Sequence, residues 1–383
     1  MRVAIVAESF LPNMNGVTNS VLRVLDHLAD RGHEALVIAP GARMHQEEAE
    51  SYRGFRIARV PTVMVPLIDS LPIGVPNSTL AVELRRFAPD VVHLASPFVL
   101  GAAGAFTARA LQIPAVAVYQ TDVAGFANNY RLKGLGSAAW AWTRVIHNSC
   151  ARTLAPSTST IRDLMEHGIR DIHRWGRGVD GVRFHPSKRS DALRRMWSPD
   201  GRPIVGYVGR LAAEKSVQRL AEVAADGRWQ VVIVGDGPER KQLQERLPSA
   251  VFTGQLGGDE LARAYASLDL FVHTGEYETF CQAIQEAHAS GVPAIAPDAG
   301  GPRDLIHPGV DGELLPVDGF ARALSAAVAR WTGDVVSDDL RRTCRASVEG
   351  RTWESLCEDL LGHYAAVSGA SARPRTGRAD RVA

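Results

Sequence analysis

Short apolar runs alternate with amphipathic stretches along most of the chain. Arg2–Ala7 and Ala35–Ala39 are apolar runs of strand length, and Val17–Arg31 between them has its apolar residues at helical spacing. Val91–Leu94 and Ala115–Tyr119 repeat the strand pattern around a helical stretch from about Val99 to Leu111, and Thr153–Ala155 adds a further short strand. Ser157 is placed to cap the helix behind it. Strands alternating with helices predict parallel βαβ units.

The pattern breaks between Val182 and Pro203, a polar stretch with Pro186, Pro199 and Pro203 that reads as an interdomain linker. Alternation then resumes: strand Ile204–Val208, helix Ser216–Ala225, strand Gln230–Val234, helix Pro238–Arg246. Strands Val251–Thr253, Leu268–His273 and Ala294–Ala296 complete a second set. The expected fold is α/β, two doubly wound Rossmann-like domains over 1–182 and 203–350, with an interdomain cleft as the ligand site. Helical pattern persists from Asp318 through Val367, and its last part, Trp353–Val367, is expected to pack back onto the first domain. Residues 368–383, made largely of Gly, Ala, Ser, Pro and Arg, are expected to form a disordered tail.

Bulk numbers narrow the function classes. A length of 383 residues fits two domains, and 45% hydrophobic with 22% charged residues is ordinary for a soluble globular protein. A net charge of +1 offers no global field for nucleic acid. Cys150, Cys281, Cys344 and Cys357 show no metal-ligand spacing and fit a reducing cytosol. The chain starts directly on an apolar strand followed by Glu8, unlike a signal peptide, and it has no run of 18 apolar residues.

The most informative segment is Glu276–Glu286. Glu278 and Glu286 bracket seven residues, with a strand-like run before them and a helix-like run, Phe280–Ser290, carrying the second. A helix N-terminus favours an anion, while flanking carboxylates suit sugar hydroxyls. A diphosphate joined to two sugars needs both, although an ordinary amphipathic helix with exposed glutamates has the same pattern. Gly209-Arg210-Leu-Ala-Ala-Glu-Lys215 follows the first strand of the second domain, so Arg210 and Lys215 fall at the sheet edge where such folds bind ligands. Two fixed cations there can neutralise a diphosphate and its charge on leaving; a solvated surface pair is the plain alternative. Val234-Gly-Asp-Gly-Pro-Glu239 reads as turn chemistry first and a base pocket second. Gly16, between the first strand and helix, either brings N–H groups to a phosphate or makes a plain turn. Asp122 ends Tyr119-Gln-Thr-Asp122 as a hydroxyl ligand or a helix cap, and Gly300-Gly301 permits close backbone approach.

Together these residues resemble the family-4 retaining glycosyltransferases of GT-B fold, over nearly the whole chain to about residue 366. The marks are the Glu278-x7-Glu286 pair, the Gly-Arg-Leu-x-x-Glu-Lys run ending at Lys215, and Ser290-Gly-Val-Pro293. Within the family the chain looks most like actinobacterial GDP-mannose-dependent mannosyltransferases that build membrane glycolipids, of the phosphatidylinositol mannoside or glucuronosyl diacylglycerol type. The resemblance implies that Arg210 and Lys215 hold the diphosphate, Glu278 the donor-sugar hydroxyls and Glu286 the ribose hydroxyls. Backbone N–H groups of Phe280, Cys281 and Gln282 would face the donor, Gly16 would close from the other domain, and Asp122 would join the catalytic set. It implies front-face displacement with retention, no metal and no cofactor. Two departures stand out: Gln120 occupies a position that is His in many relatives, and Cys281 one that is often Gly. Competing readings are a UDP-sugar-dependent transferase of the same fold, a nucleotide-sugar epimerase, or a nucleotide-sugar-binding protein without turnover.

Segment 123–162 has no acidic residue but carries Arg131, Lys133, Arg144, Arg152 and Arg162 among Phe126, Tyr130, Trp140 and Trp142. That combination suits an anionic membrane surface, or a partly buried helix with snorkelling arginines. Val60–Pro76 is apolar but broken by prolines, which fits neither a long helix nor a central strand. The expected location is cytoplasmic, peripheral on the inner face of the cell membrane, with a lipid acceptor.

Overall fold

The computed structural model describes residues 1–41, 47–64, 72–74, 78–120, 135–333 and 337–369. The chain forms two compact units: 1–156 with 161–176 and 356–383, and 157–160 with 177–355.

The first unit is built on an eight-stranded sheet. Its strands are β1 (Arg2–Ala7), β2 (Glu34–Pro40), β3 (Ser51–Tyr52), β4 (Phe55–Val60), β7 (Val91–Ala95), β8 (Ala115–Val118), β9 (Arg152–Ala155) and β10 (Ile172–Arg174). β5 (Thr62–Met64) and β6 (Pro72–Gly74) pair separately and antiparallel, and the rest of the Pro-broken apolar run, 65–71 and 75–76, lies outside the described residues. The sheet order is β10-β9-β8-β7-β1-β2-β4-β3. All neighbours are parallel except β3 with β4. Alternate residues of β1 serve opposite faces: Val3 and Ile5 join one apolar cluster, Ala4 and Val6 another. Burial on both faces is why these strands read as unbroken apolar runs. The first cluster also contains Cys357, Leu360, Leu361 and Tyr364 of helix Trp353–Ser368.

The second unit is a fully parallel six-stranded sheet in the order β13-β12-β11-β14-β15-β16. The strands are β11 (Ile204–Val208), β12 (Gln230–Val234), β13 (Val251–Gly254), β14 (Leu270–Val272), β15 (Ala294–Pro297) and β16 (Gly312–Leu315). The polar stretch 182–203, expected as a linker, instead folds into the second unit as a 3-10 turn, Pro186–Lys188, and helix Asp191–Trp197. Its cations explain this: Arg189 and Arg194 both bind the buried Asp269 carboxylate at 2.9 Å. The helix expected from Ser216 begins only at Ala221, after two 3-10 turns. Ser157 caps as expected, its Oγ accepting the Thr160 N–H at 3.2 Å.

Candidate active site

The loop after β11 carries Arg210. It lies against the Gly-Asp-Gly-Pro turn after β12, with Gly209 N donating to Val234 O at 3.0 Å and Leu211 N to Asp236 O at 2.9 Å. A Cβ on Gly235 would stand 1.9 Å from Gly209 O, so only glycine permits this approach. Arg210 itself is exposed, and Tyr207 Oη donates to its carbonyl at 3.1 Å.

Three residues after Arg210 the chain tightens into the 3-10 turn Ala213–Lys215 and passes through Ser216 at φ 50°. Lys215 Nζ reaches Glu278 Oε1 at 2.5 Å. The backbone behind both is clamped. Thr274 Oγ1 donates to Lys215 O at 2.6 Å, and Arg219 binds Thr274 O at 2.9 Å and Glu276 Oε2 at 3.2 Å.

Glu278 Oε1 has a second cationic neighbour, His273 Nε2 at 3.2 Å, supplied by the residue that follows β14. Burial works against the Glu278 charge, but His273 and Lys215 outweigh it and bring the carboxyl down to about 2. Burial likewise works against a charged His273, and here Cys281 and Glu278 prevail, pushing the imidazole up to about 10. Lys215 is also raised: burial opposes its charge and Glu278 more than compensates.

Helix Gln282–Ala289 begins at Cys281, which holds φ 77° and ψ 71°. A left-handed cap is natural for glycine and strained for cysteine. Phe280 and Cys281 are both buried. The loop after β15 presses against the same segment. Gly301 N donates to Glu278 O at 2.7 Å, and a Cβ on Gly300 would meet that same oxygen at 2.4 Å. The helix is tied down by Gln282 Nε2 to Gly178 O at 3.1 Å and Gln285 Nε2 to Arg177 O at 2.8 Å. Burial pushes the Glu286 carboxyl up to about 7, although Tyr265, Gln282, Arg183 and Arg177 pull the other way. Arg177 is electrostatically coupled to Glu278 and Glu286 alike.

The structure therefore brings Lys215, Glu278, Phe280, Cys281, Gln282 and Glu286 together at one end of the second sheet, with Arg210 exposed on the adjoining loop. Gly16 lies in the first unit, exposed at the start of helix Gly16–Asp30, which Asn15 caps through Thr18 N at 2.9 Å. Gln120 is buried in that unit, and Asp122 lies outside the described residues. Sequence reasoning missed His273, Arg219, Arg177 and Tyr265. No motif marks them: His273 ends an apolar run and reads as the last residue of a strand.

Such a site, with cations beside a helix start and carboxylates at two depths, can hold an anion and hydroxyl-bearing groups at once. Residues 14–183 match the model described as Glycosyltransferase Family 4, and residues 190–347 the one described as Glycosyl transferases group 1. A GDP-mannose-dependent alpha-mannosyltransferase of Corynebacterium glutamicum is 62% identical over 97% of this chain and 91% of its own. One from Mycolicibacterium smegmatis, of the same name, is 60% identical over 96% and 98%. More distant, at 25% identity over 96% and 97%, is a GDP-mannose-dependent alpha-(1-6)-phosphatidylinositol dimannoside mannosyltransferase of Mycobacterium tuberculosis. Among solved structures, a sucrose-phosphate synthase from Thermosynechococcus elongatus shares the fold, with a TM-score of 0.77 at 19% identity over 97% of this chain and all of that one. With two Rossmann-like units, both family models and near full-length relatives, the chain belongs to the family 4 and group 1 glycosyltransferases of GT-B fold, and it is an enzyme of that family.

Proposed function

We propose that this glycosyltransferase moves mannose from GDP-mannose to a glycolipid acceptor at an anionic membrane surface, with retention of configuration. The observation that carries the reading is identity of about three residues in five, across nearly all of both chains, with relatives named as GDP-mannose-dependent alpha-mannosyltransferases. The lipid acceptor draws support from the relative named for phosphatidylinositol dimannoside.

In this reading Arg210 and Lys215 neutralise the diphosphate and the charge that grows on it as the sugar leaves. Glu278, kept ionised by its cationic neighbours, accepts hydrogen bonds from donor-sugar hydroxyls, and Glu286 from ribose hydroxyls. Backbone N–H groups at Phe280, Cys281 and Gln282 face the donor. Gly16 offers backbone N–H groups to a phosphate, and Asp122 receives the acceptor or sugar hydroxyl.

Membrane attachment is supported by an aromatic patch in the first unit. Phe98, Phe106, Trp142 and Val145 are each between 36% and 48% exposed. Trp142 Nε1 donates to Phe98 O at 3.0 Å, and Phe106 packs edge-on against Trp142 with centroids 6.2 Å apart, so the patch is preformed. Arg109 and Arg144 are exposed on the same two helices, Leu100–Ala110 and Leu135–His147. No helix among the described residues is long and apolar enough to cross a membrane.

The test is incubation of the purified chain with GDP-mannose and glycolipid acceptors in anionic vesicles. GDP release and an α-mannosylated lipid are expected. Turnover of a UDP-sugar in place of GDP-mannose would overturn the donor assignment.

A further inference from the structure

We propose that His273 is a positioning residue of the donor site, holding the Glu278 carboxylate in place and charge-balanced when Lys215 turns from it to the donor diphosphate. The inference rests on the donor-site reading above. Two cations face one oxygen, Glu278 Oε1: Lys215 Nζ through a hydrogen bond at 2.5 Å, and His273 Nε2 at 3.2 Å as an ion pair without hydrogen-bond geometry. They differ in freedom. The Lys215 side chain is 25% exposed on a flexible stem, whereas His273 is 3% exposed and its backbone N–H is bonded to Ile295 O at 2.8 Å.

Lys215 is spent on Glu278 in this arrangement, so it must leave that carboxylate to serve a phosphate fully. A buried carboxylate with no remaining cation would take up a proton and lose half of its capacity to accept from sugar hydroxyls. His273 is the cation that stays. The space around it is close-fitted: a Cβ on Gly275 would stand 3.3 Å from His273 Nε2 and 3.4 Å from Lys215 Cα. The titratable groups facing the imidazole are Glu278 and Cys281, on the segment leading into helix Gln282–Ala289. Lys215 lies across Glu278, and Tyr207 on β11 is coupled to Glu278 and Cys281. Lys215 and His273 thus divide two tasks that the Glu-x7-Glu pattern alone assigns to nobody.

The experiment has two arms on the full chain. In the first, ¹⁵N-histidine spectra are recorded at pH 8 with and without saturating GDP, and the His273 signals are assigned by their loss in His273→Gln. The ring is expected to remain imidazolium in both states; a neutral ring at pH 8 would overturn the proposal. In the second, kcat/KM for GDP-mannose is followed against pH in a Glu286→Gln background, which removes the titration near 7 and leaves the acid limb to Glu278. In His273→Gln the acid limb should move up by about one unit or more, because Glu278 then keeps a single cation. A purely structural role would lower kcat/KM evenly and leave the limb where it was, which would overturn the inference. His273→Asn repeats the comparison should Gln pack poorly. No turnover of GDP-mannose by the wild type would sink the donor reading and this inference with it. Wild-type turnover with an unmoved acid limb would sink the inference alone.

Discussion

Glu278 and Glu286 flank one helix start yet are held in opposite states, Glu278 ionised down to about 2 and Glu286 titrating near 7. Two cations touch Glu278, whereas Arg183 and Arg177 act on Glu286 without outweighing its burial. The signs of the pH effects differ accordingly. For Glu278 the folded pKa is depressed, so its contribution to stability is present above about 4.5 and is lost as pH falls toward 2. For Glu286 the folded chain binds the extra proton, so stability declines as pH rises from about 4.5 through 7.

Glu286→Gln should therefore raise the melting temperature at pH 8 and change it little at pH 5, by a stability difference on the order of 1–3 kcal/mol. The same change should weaken donor binding and abolish its rise between pH 6 and 8, since an ionised carboxylate accepts from hydroxyls better than an amide or acid. Scanning calorimetry and binding titrations at both pH values check this. An equal thermal shift at pH 5 and pH 8 would count against the buried titration.

Arg210→Ala and Lys215→Ala should each lower turnover by about 10²–10³, the usual cost of losing a preorganised charge-stabilising donor. Their effects on stability should separate. Arg210 is exposed, so its removal should stay within about 0.5 kcal/mol, while Lys215→Ala takes one of two cations from Glu278 and should lower the melting temperature measurably. Steady-state kinetics with thermal melts decide; near-normal rates for the lysine variant would refute the diphosphate assignment.

Gly300→Ala places a methyl 2.4 Å from the Glu278 carbonyl at a φ of 57°, so the loop or the donor helix must move. A loss of about 1–3 kcal/mol and a raised KM for donor are expected. Gly227→Ala, with φ 78° and nothing within 4 Å, isolates the backbone strain and should leave KM unchanged. Matching KM values in the two variants would remove any special role for the 300–301 contact.

Co-sedimentation with liposomes tests membrane attachment. Binding should need anionic lipid, fall with salt at about 1 kcal/mol per lost basic contact, and weaken in Arg144→Gln, Trp142→Ser and Phe106→Ser. Equal recovery in the supernatant with anionic and neutral vesicles would reject a membrane-surface enzyme.

Much of the architecture was readable because strands such as Arg2–Ala7 and Ile204–Val208 are buried on both faces and so carry uninterrupted apolar runs. Glu278 and Glu286 were readable because spacing along the chain survives as proximity around one helix start, and Lys215 because a loop that follows a parallel strand falls at the sheet edge where ligands bind. His273 and Arg177 were not, since their roles depend on which strand ends lie side by side, and one residue type at a strand end carries no such information. The stretch 182–203 misled for the reverse reason: its arginines look solvated in sequence, but they converge on a single buried aspartate, Asp269.

Helix Trp353–Ser368 also constrains how the molecule comes into being. Leu360, Leu361 and Tyr364 sit in the same apolar cluster as Val3, Ile5 and Leu25, more than 300 positions earlier. During synthesis the first sheet must wait, with the part of one face that helix Gly16–Asp30 does not cover left open, while the entire second unit is translated and free to fold. The N-terminal half should thus be the last to become protease-resistant, and fragments that stop short of residue 364 should engage chaperones through that open face.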